Sequence, residues 1–508
     1  MASLHHAFPH LRAAVPRLSR RLAAARPCLS PPSRAPLPAS RSIAPQPSVL
    51  QSVRWKSTQP LRSSAATSPA VAATEGSAIA DAATAAAKGE AKSNSWPKTS
   101  SKSVAYWLLG SAASVFGIVV FGGLTRLTES GLSITEWRPV TGSMPPMNQD
   151  DWESEFAKYR DSPEFVRLNS SMTLPEFKQI YWMEWTHRLW GRVIGVTFLL
   201  PTIYFVARRR VTPSMAWKLT GICGMIGFQG FIGWWMVKSG LKDDLFAPGS
   251  VPRVSQYRLT AHLGAAFAVY CSMILTGLSI LKEHRLLADP AKAAERLNTL
   301  KHPALRLFRG SVVGLCLLVF TTAMSGALVA GLDAGLIYNE FPYMGLGLTP
   351  PKKELFDPFY SHVPDHSDLW WRNMLENPSL VQLDHRILAT TTFTAVMSLF
   401  AYTRFSGAVR SKLPRDAKKG VMGMAHLVWM QAALGISTLL YMVPTWLAAT
   451  HQAGALALLT GAVVLYSRTS MPRRAIMRQI FKPHAAPRTQ TTPPLRSRLE
   501  ATNADQKS

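Results

Sequence analysis

Four histidines in this 508-residue chain fall at matched positions. His187 and His385 are each followed by an arginine, Arg188 and Arg386, while His262 and His451 each sit in an apolar run rich in small residues. Glu184 stands three residues before His187, a spacing that stacks carboxylate and imidazole on one face of a helix. All of them lie at the margins of apolar stretches, where ionisable groups are costly and mark function. Taken singly, each histidine reads equally well as an interfacial residue bonded to a carbonyl. Four in a repeated pattern read as a ligand set. Two imidazoles at one depth, facing one another inside a four-helix bundle, are the arrangement that holds a bis-imidazole haem. Copper or zinc wants three or four clustered ligands, and no Cys or carboxylate set stands near to complete one. His426, His362 and His366 fall outside the pattern and read as structural or solvated.

The elements that must position these residues are apolar runs near 104–124, 189–207, 215–237, 259–281, 309–332, 387–404, 421–442 and 445–467, each long enough to cross a bilayer. The expected fold is an all-α membrane protein with eight transmembrane helices. Loops 208–217, 282–308 and 404–420 are rich in Lys and Arg, whereas the intervening long loops are acidic, with Asp150, Asp151, Glu153 and Glu155 in one and Glu354, Asp357, Asp365 and Glu376 in another. By the positive-inside rule both termini face the matrix, and the long loops and the histidines lie on the intermembrane-space side.

The two halves of the membrane region are self-similar. GGLTRLTESGLSITEW at 122–137 matches GALVAGLDAGLIYNEF at 326–341, pairing Gly122 with Gly326 and Gly131 with Gly335. His187-Arg188 matches His385-Arg386, and RLTAHLGAAFAVY at 258–270 matches LAATHQAGALALL at 447–459. The helices therefore form two tandem four-helix bundles in the same orientation, each with one histidine on its second helix and one on its fourth. The halves differ at one telling place. Glu184 of the first has Gln382 as its counterpart, so proton transfer or stabilisation of positive charge is open to the first half alone. That predicts a reacting haem in the first half and an electron-transfer haem in the second. The bland alternative is a bridge from Glu184 to Arg188 one turn on. Arg188 and Arg386 suit haem propionates at the water-facing edge, or equally headgroups. Tyr181, Trp182, Trp185 and Trp190 read as an interfacial aromatic belt. Gly122, Gly123, Gly326 and Gly331 allow close approach of a helix or a macrocycle.

The net charge of +27 does not indicate nucleic acid, because the basic residues sit in the two ends and in alternate loops. Residues 1–56 are rich in Arg, Ser, Ala and Pro and free of acidic residues, the composition of a mitochondrial transit peptide. A disordered Ala/Ser linker follows over 57–103, then the first four-helix half (104–281), a basic matrix loop (282–308), the second half (309–467) and a basic, disordered tail (468–508). The four cysteines show no paired spacing, so neither a disulfide framework nor a zinc site is indicated.

Six stretches in register, GGLTRLTESGLSITEW, EWTHRLWGR, QGFIGWWMVKSGL (229–241), AGLDAGLIYNEFPYM (330–344), LDHRILA (383–389) and ATHQAGA (449–455), resemble the haem A synthase family in its mitochondrial form, over about 104–467. The resemblance implies an inner-membrane enzyme that oxidises the C8 methyl of haem O to a formyl group through two hydroxylations, with oxygen from water. It also implies that His187 and His262 hold the substrate haem, that Glu184 is the catalytic carboxylate, and that His385 and His451 ligate a haem b cofactor. Haem O synthase and a redox partner, of the ferredoxin type or another, are the partners it suggests, with a homo-oligomer left open. Some bacterial members carry a cysteine pair in the first outer loop; residues 126–186 here contain none, which excludes a thiol mechanism. Two other readings use the same histidines: a non-catalytic haem carrier and a dihaem cytochrome b-like quinone oxidoreductase.

Overall fold

The structure, a computed structural model, describes residues 96–482 apart from 140, 248 and 249. The expected transit peptide, most of the linker and the end of the tail lie outside the described residues. Eight long helices carry the fold: α1 (Lys102–Leu127), α2 (Leu174–Ala207), α3 (Pro213–Gly240), α4 (Gln256–Ala288), α5 (Leu305–Gly331), α6 (Pro378–Phe405), α7 (Arg415–Leu440) and α8 (Thr445–Thr469). No strand forms among the described residues. Seven of these helices are long and apolar enough to cross a membrane. The other, α6, has the length at 28 residues, but Asp384, Arg386 and the run Thr390, Thr391 and Thr392 dilute its apolar character.

Local chemistry sets where the helices start. Thr173 and Glu176 form a capping box ahead of α2, with a proline in its first turn. Thr212 accepts the Met215 N–H at 3.3 Å ahead of α3, and Asn377 caps α6 just before Pro378. The ends repeat too. Two residues beyond α1 and α5 stand Glu129 and Asp333, both left-handed, with φ of 53° and 52°.

Helix α1 packs on α2 and α4, and α3 packs on the same two; α5 to α8 repeat that pattern among themselves. Contacts of α4 with α5, α1 with α8, and α4 with α8 join the halves. Close packing, which small residues permit, is what holds helices together in lipid. Gly123 shows it: a Cβ there would lie 1.8 Å from the Gln452 side-chain oxygen, in the place where Gln452 crosses from α8 to donate to the Val119 carbonyl at 2.9 Å.

The basic segments meet at one end of the helices. His284 Nε2 lies 2.8 Å from the Ser100 carbonyl, Lys282 donates to the Ser467 and Ser470 carbonyls, and Arg296 pairs with Asp416 at 2.7 Å. At the other end Asp333 of the second half is held by two arginines of the first, Arg126 at 2.8 Å and Arg253 at 2.9 Å, so these ion pairs cross the junction between the halves.

Several expectations need correction. Helix α2 begins at Leu174 rather than near 189, so Glu184 and His187 lie inside a 34-residue helix, about 50 Å long. The basic loop 282–308 is mostly helical, through the end of α4 and a helix at Pro290–Lys301. The tail does not start disordered: Arg474–Ile480 is a helix whose Ile476 and Ile480 are buried against Leu286 and Leu297. Tyr181 and Trp185 do not form an aromatic belt, because both pack into a small outer core with Trp152, Phe156, Tyr159 and Phe177. Trp182 stays exposed, and Trp190 donates to Ser114 at 2.9 Å.

Candidate functional site

Glu184 is buried, at 3% exposure, and all four of its hydrogen-bonding neighbours are donors. One oxygen accepts from the Ser133 hydroxyl and the Ile134 N–H, both at 2.7 Å. The other accepts from Arg188, at 3.0 Å from Nε and 2.6 Å from Nη2. Arg188 also donates to the carbonyls of Ile134 at 2.8 Å and Glu136 at 3.0 Å. The pair thus clasps the segment that follows α1. The second half builds the same clasp without the charge. Gln382 donates to the carbonyls of Ala334 at 3.0 Å and Tyr338 at 3.1 Å, and Arg386 donates to Tyr338 at 3.0 Å and to Tyr343 at 3.1 Å. Tyr338 is the repeat counterpart of Ile134. The bridge from Glu184 to Arg188, weighed above as the bland alternative, is therefore present, and it is part of a device common to both halves.

Of the five guanidinium N–H groups of Arg188, these bonds use four. The remaining one is on Nη1. Arg188 borders two clefts, one of about 350 Å3 shared with Arg138, Arg192 and Lys158, and one of about 230 Å3 shared with Trp137, Trp234 and Lys238. The first cleft also carries Glu136, Asp151 and Glu155, whereas in the second Arg188 and Lys238 face one carboxylate, Glu136, so a carboxylate is better received at the second.

The histidines are gathered in pairs. His187 and His262 lie within electrostatic reach of each other, as do His385 and His451. Among the described residues no group of three or more His, Cys, Asp or Glu side chains could hold a metal ion. Each imidazole rests on a glycine of the neighbouring helix: His187 on Gly122, His262 on Gly233, His385 on Gly326 and His451 on Gly435. A Cβ at those glycines would lie 2.8, 3.0, 3.1 and 2.8 Å from the respective ring Cε1. All four histidines are half-buried.

On the fourth helices the rings share one support. Gln229 of α3 places its amide nitrogen 3.1 Å from His262 Nδ1 and 2.9 Å from the His262 carbonyl. Gln431 of α7 does the same to His451, at the same two distances. Two imidazoles paired between helices in each half, each backed by a glycine, with an arginine beside the second-helix ring, are the donor set of a bis-imidazole haem, so the residues present fit that group. His362, by contrast, lies against Glu376 on the outer surface, and His426 is exposed.

Gln229, Gln431, Gly233, Gly435 and Lys238 were missed by sequence reasoning. The one signal that could have found the first four is the repeat itself, since Gln229 to Gly233 and Gln431 to Gly435 keep the same spacing on the third helix of each half.

Comparison with known proteins agrees with this geometry. Residues 105–463 match the COX15-CtaA family model, described as cytochrome oxidase assembly protein. The chain is 51% identical over 388 residues to Heme A synthase COX15 of Saccharomyces cerevisiae, covering 76% of this chain and 79% of that one. It is 46% identical over 368 residues to Heme A synthase COX15 of Homo sapiens, covering 72% and 83%. Over 375 residues it is 52% identical to a Heme A synthase-mitochondrial ferredoxin fusion protein of Schizosaccharomyces pombe, covering 73% of this chain and 60% of the fusion. With the family model matched over most of its length and the relatives aligned across the same helices, the chain belongs to the COX15-CtaA family of cytochrome oxidase assembly proteins.

Proposed function

We propose that the chain is a haem A synthase, an oxidoreductase of the mitochondrial inner membrane that converts haem O to haem A. The observation that carries this reading is the pair of glycine-backed imidazoles in each half, combined with a carboxylate, Glu184, in the first half alone. Membership of the family and the names of the relatives support the activity. They weigh against a simple haem carrier and against a quinone oxidoreductase.

The chain crosses the membrane eight times, with α6 as a span in which Thr392 faces α5, 2.7 Å from Thr322, while the Thr390 and Thr391 hydroxyls donate to carbonyls of their own helix. It forms two tandem four-helix bundles in one orientation, with both termini in the matrix and the histidines toward the intermembrane space. The meeting of the basic segments at one end supports that orientation.

His187 and His262 hold the substrate, haem O, and His385 and His451 hold haem b. That haem b supplies one-electron transfer. Each hydroxylation of the C8 methyl takes an oxygen from water and releases two electrons and two protons; the second gives a gem-diol, which loses water to leave the formyl group. Four electrons leave per product. The fusion of a relative with a mitochondrial ferredoxin supports a one-electron iron–sulfur protein as the redox partner.

Within that reaction Glu184 acts by its charge. Both of its oxygens already accept two hydrogen bonds each, which leaves little room for it to take up a further proton, whereas a fixed negative charge stabilises positive charge developing beside it. Arg188 and Lys238 receive propionates at the cleft edge. The test is extraction and mass analysis of pigments from the purified full chain. Haem b together with haem O or haem A supports the synthase; haem b alone would leave the carrier or quinone reading in its place.

A further inference from the structure

The histidines of the second helices differ in one respect. In the second half the His385 Nδ1 lies 2.8 Å from Ser325 Oγ. The Ser325 hydroxyl proton is already given to the Thr322 carbonyl at 2.8 Å, so Ser325 receives the Nδ1–H. That fixes the tautomer and leaves the Nε2 lone pair free to bind iron. In the first half the residue in the place of Ser325 is Phe121, immediately before Gly122 as Ser325 is before Gly326. The Phe121 ring is nearly parallel to that of His187, 8° apart at a centroid distance of 6.5 Å. The His187 Nδ1 is buried with no hydrogen-bond partner. Both rings rest on a glycine of the first helix of their half, Gly122 and Gly326.

A ligating histidine ordinarily donates its other ring N–H to an acceptor, which orients the ring, strengthens it as a ligand and raises metal affinity. His385 has that acceptor and His187 lacks it. We infer that Ser325 and Phe121 are positioning residues that set how firmly each half keeps its haem: the second half is built to retain its occupant, the first to exchange one. The inference rests on the ligand assignment proposed above. It explains how one duplicated fold serves both a resident cofactor and a substrate that must arrive and leave.

The test is haem loss from the purified full chain, carrying both pigments, to excess apomyoglobin, with the remaining pigment identified by mass so that haem b and haem O report separately on the two halves. Ser325→Ala is expected to lose haem b about ten-fold faster and to shift its midpoint potential upward, because a less basic imidazole favours the ferric state less. Ser325→Thr keeps the acceptor and should restore both readouts. Phe121→Ser is expected to slow haem O loss by a similar factor. Unchanged haem b loss and potential in Ser325→Ala would overturn the inference, as would equal loss in Ser325→Ala and Ser325→Thr, or haem O loss from Phe121→Ser as fast as from the unaltered protein. His385→Ala separates the two levels. If it retains haem b, the ligand assignment itself is wrong; if it loses haem b while Ser325→Ala behaves normally, only the role of Ser325 falls.

Discussion

Arg188 grips one oxygen of Glu184 through two hydrogen bonds, 3.0 Å from Nε and 2.6 Å from Nη2. The corresponding pair, Arg386 and Gln382, is joined by one bond of 3.3 Å. Both pairs hold the segment after the first helix of their half, so the fold needs a side chain of this length at the position but does not need its charge. The charge is what the first half adds.

The glycines behind the histidines give the first prediction. A Cβ at Gly435 would lie 2.8 Å from His451 Cε1, so Gly435→Ala must push the ring off its place while slightly favouring the helix. Haem b bound to the purified variant is expected to fall at least ten-fold with thermal stability within about 1 kcal/mol of the parent, read from the absorption spectrum and a melting curve.

Ligand removal should separate the halves. His385→Ala is expected to abolish bound haem b while leaving haem O detectable, and His187→Ala the reverse, each measured by pigment extraction. Loss of the same pigment from both variants would mean that the halves are misassigned.

The outer core carries a pH dependence. Burial, and after it the negative charges of Glu129 and Glu184, push the Glu164 carboxyl up to about 8. In the unfolded chain the same group titrates near 4.3, so between those values the folded protein holds a proton that the unfolded chain has released. Its contribution is full below the lower value and is lost as pH rises through about 8. Melting temperature should therefore decline between about pH 4.3 and 8 and level off above that, and Glu164→Gln should flatten that decline.

At the basic end Arg473 pairs with the buried Glu283 through two bonds, each 2.5 Å. Arg473→Ala strands that carboxylate and is expected to cost about 3 kcal/mol, whereas Arg473→Ala combined with Glu283→Gln should recover most of the loss. Thermal unfolding in detergent reads both.

The four histidines, the clasping arginines and the Glu184/Gln382 difference were legible in the sequence because the repeat places them at matched positions in short, recognisable stretches. The supports of the rings were not. Gln229 and His262 stand 33 residues apart, on different helices, and nothing in hydrophobic periodicity says which residue of α3 meets which residue of α4. The helix at Arg474–Ile480 was missed for another reason: its short, highly basic sequence looks solvated until Glu283 and Leu286 are placed beneath it. The outer core was misread because Tyr181 and Trp185 suit a membrane interface as well as they suit a small domain above it, and only the packing of the Gln149–Arg160 helix over them decides.

The most direct test of the whole account is Glu184→Gln, since Gln382 demonstrates that a glutamine fits the clasp. The unaltered protein and the variant would be purified side by side and their pigments extracted and weighed. The variant is expected to keep haem b and bound haem O, with haem A lowered about 100-fold or more, and with haem O or its alcohol accumulating. Haem A at the level of the unaltered protein would contradict the role of Glu184 in the oxidation.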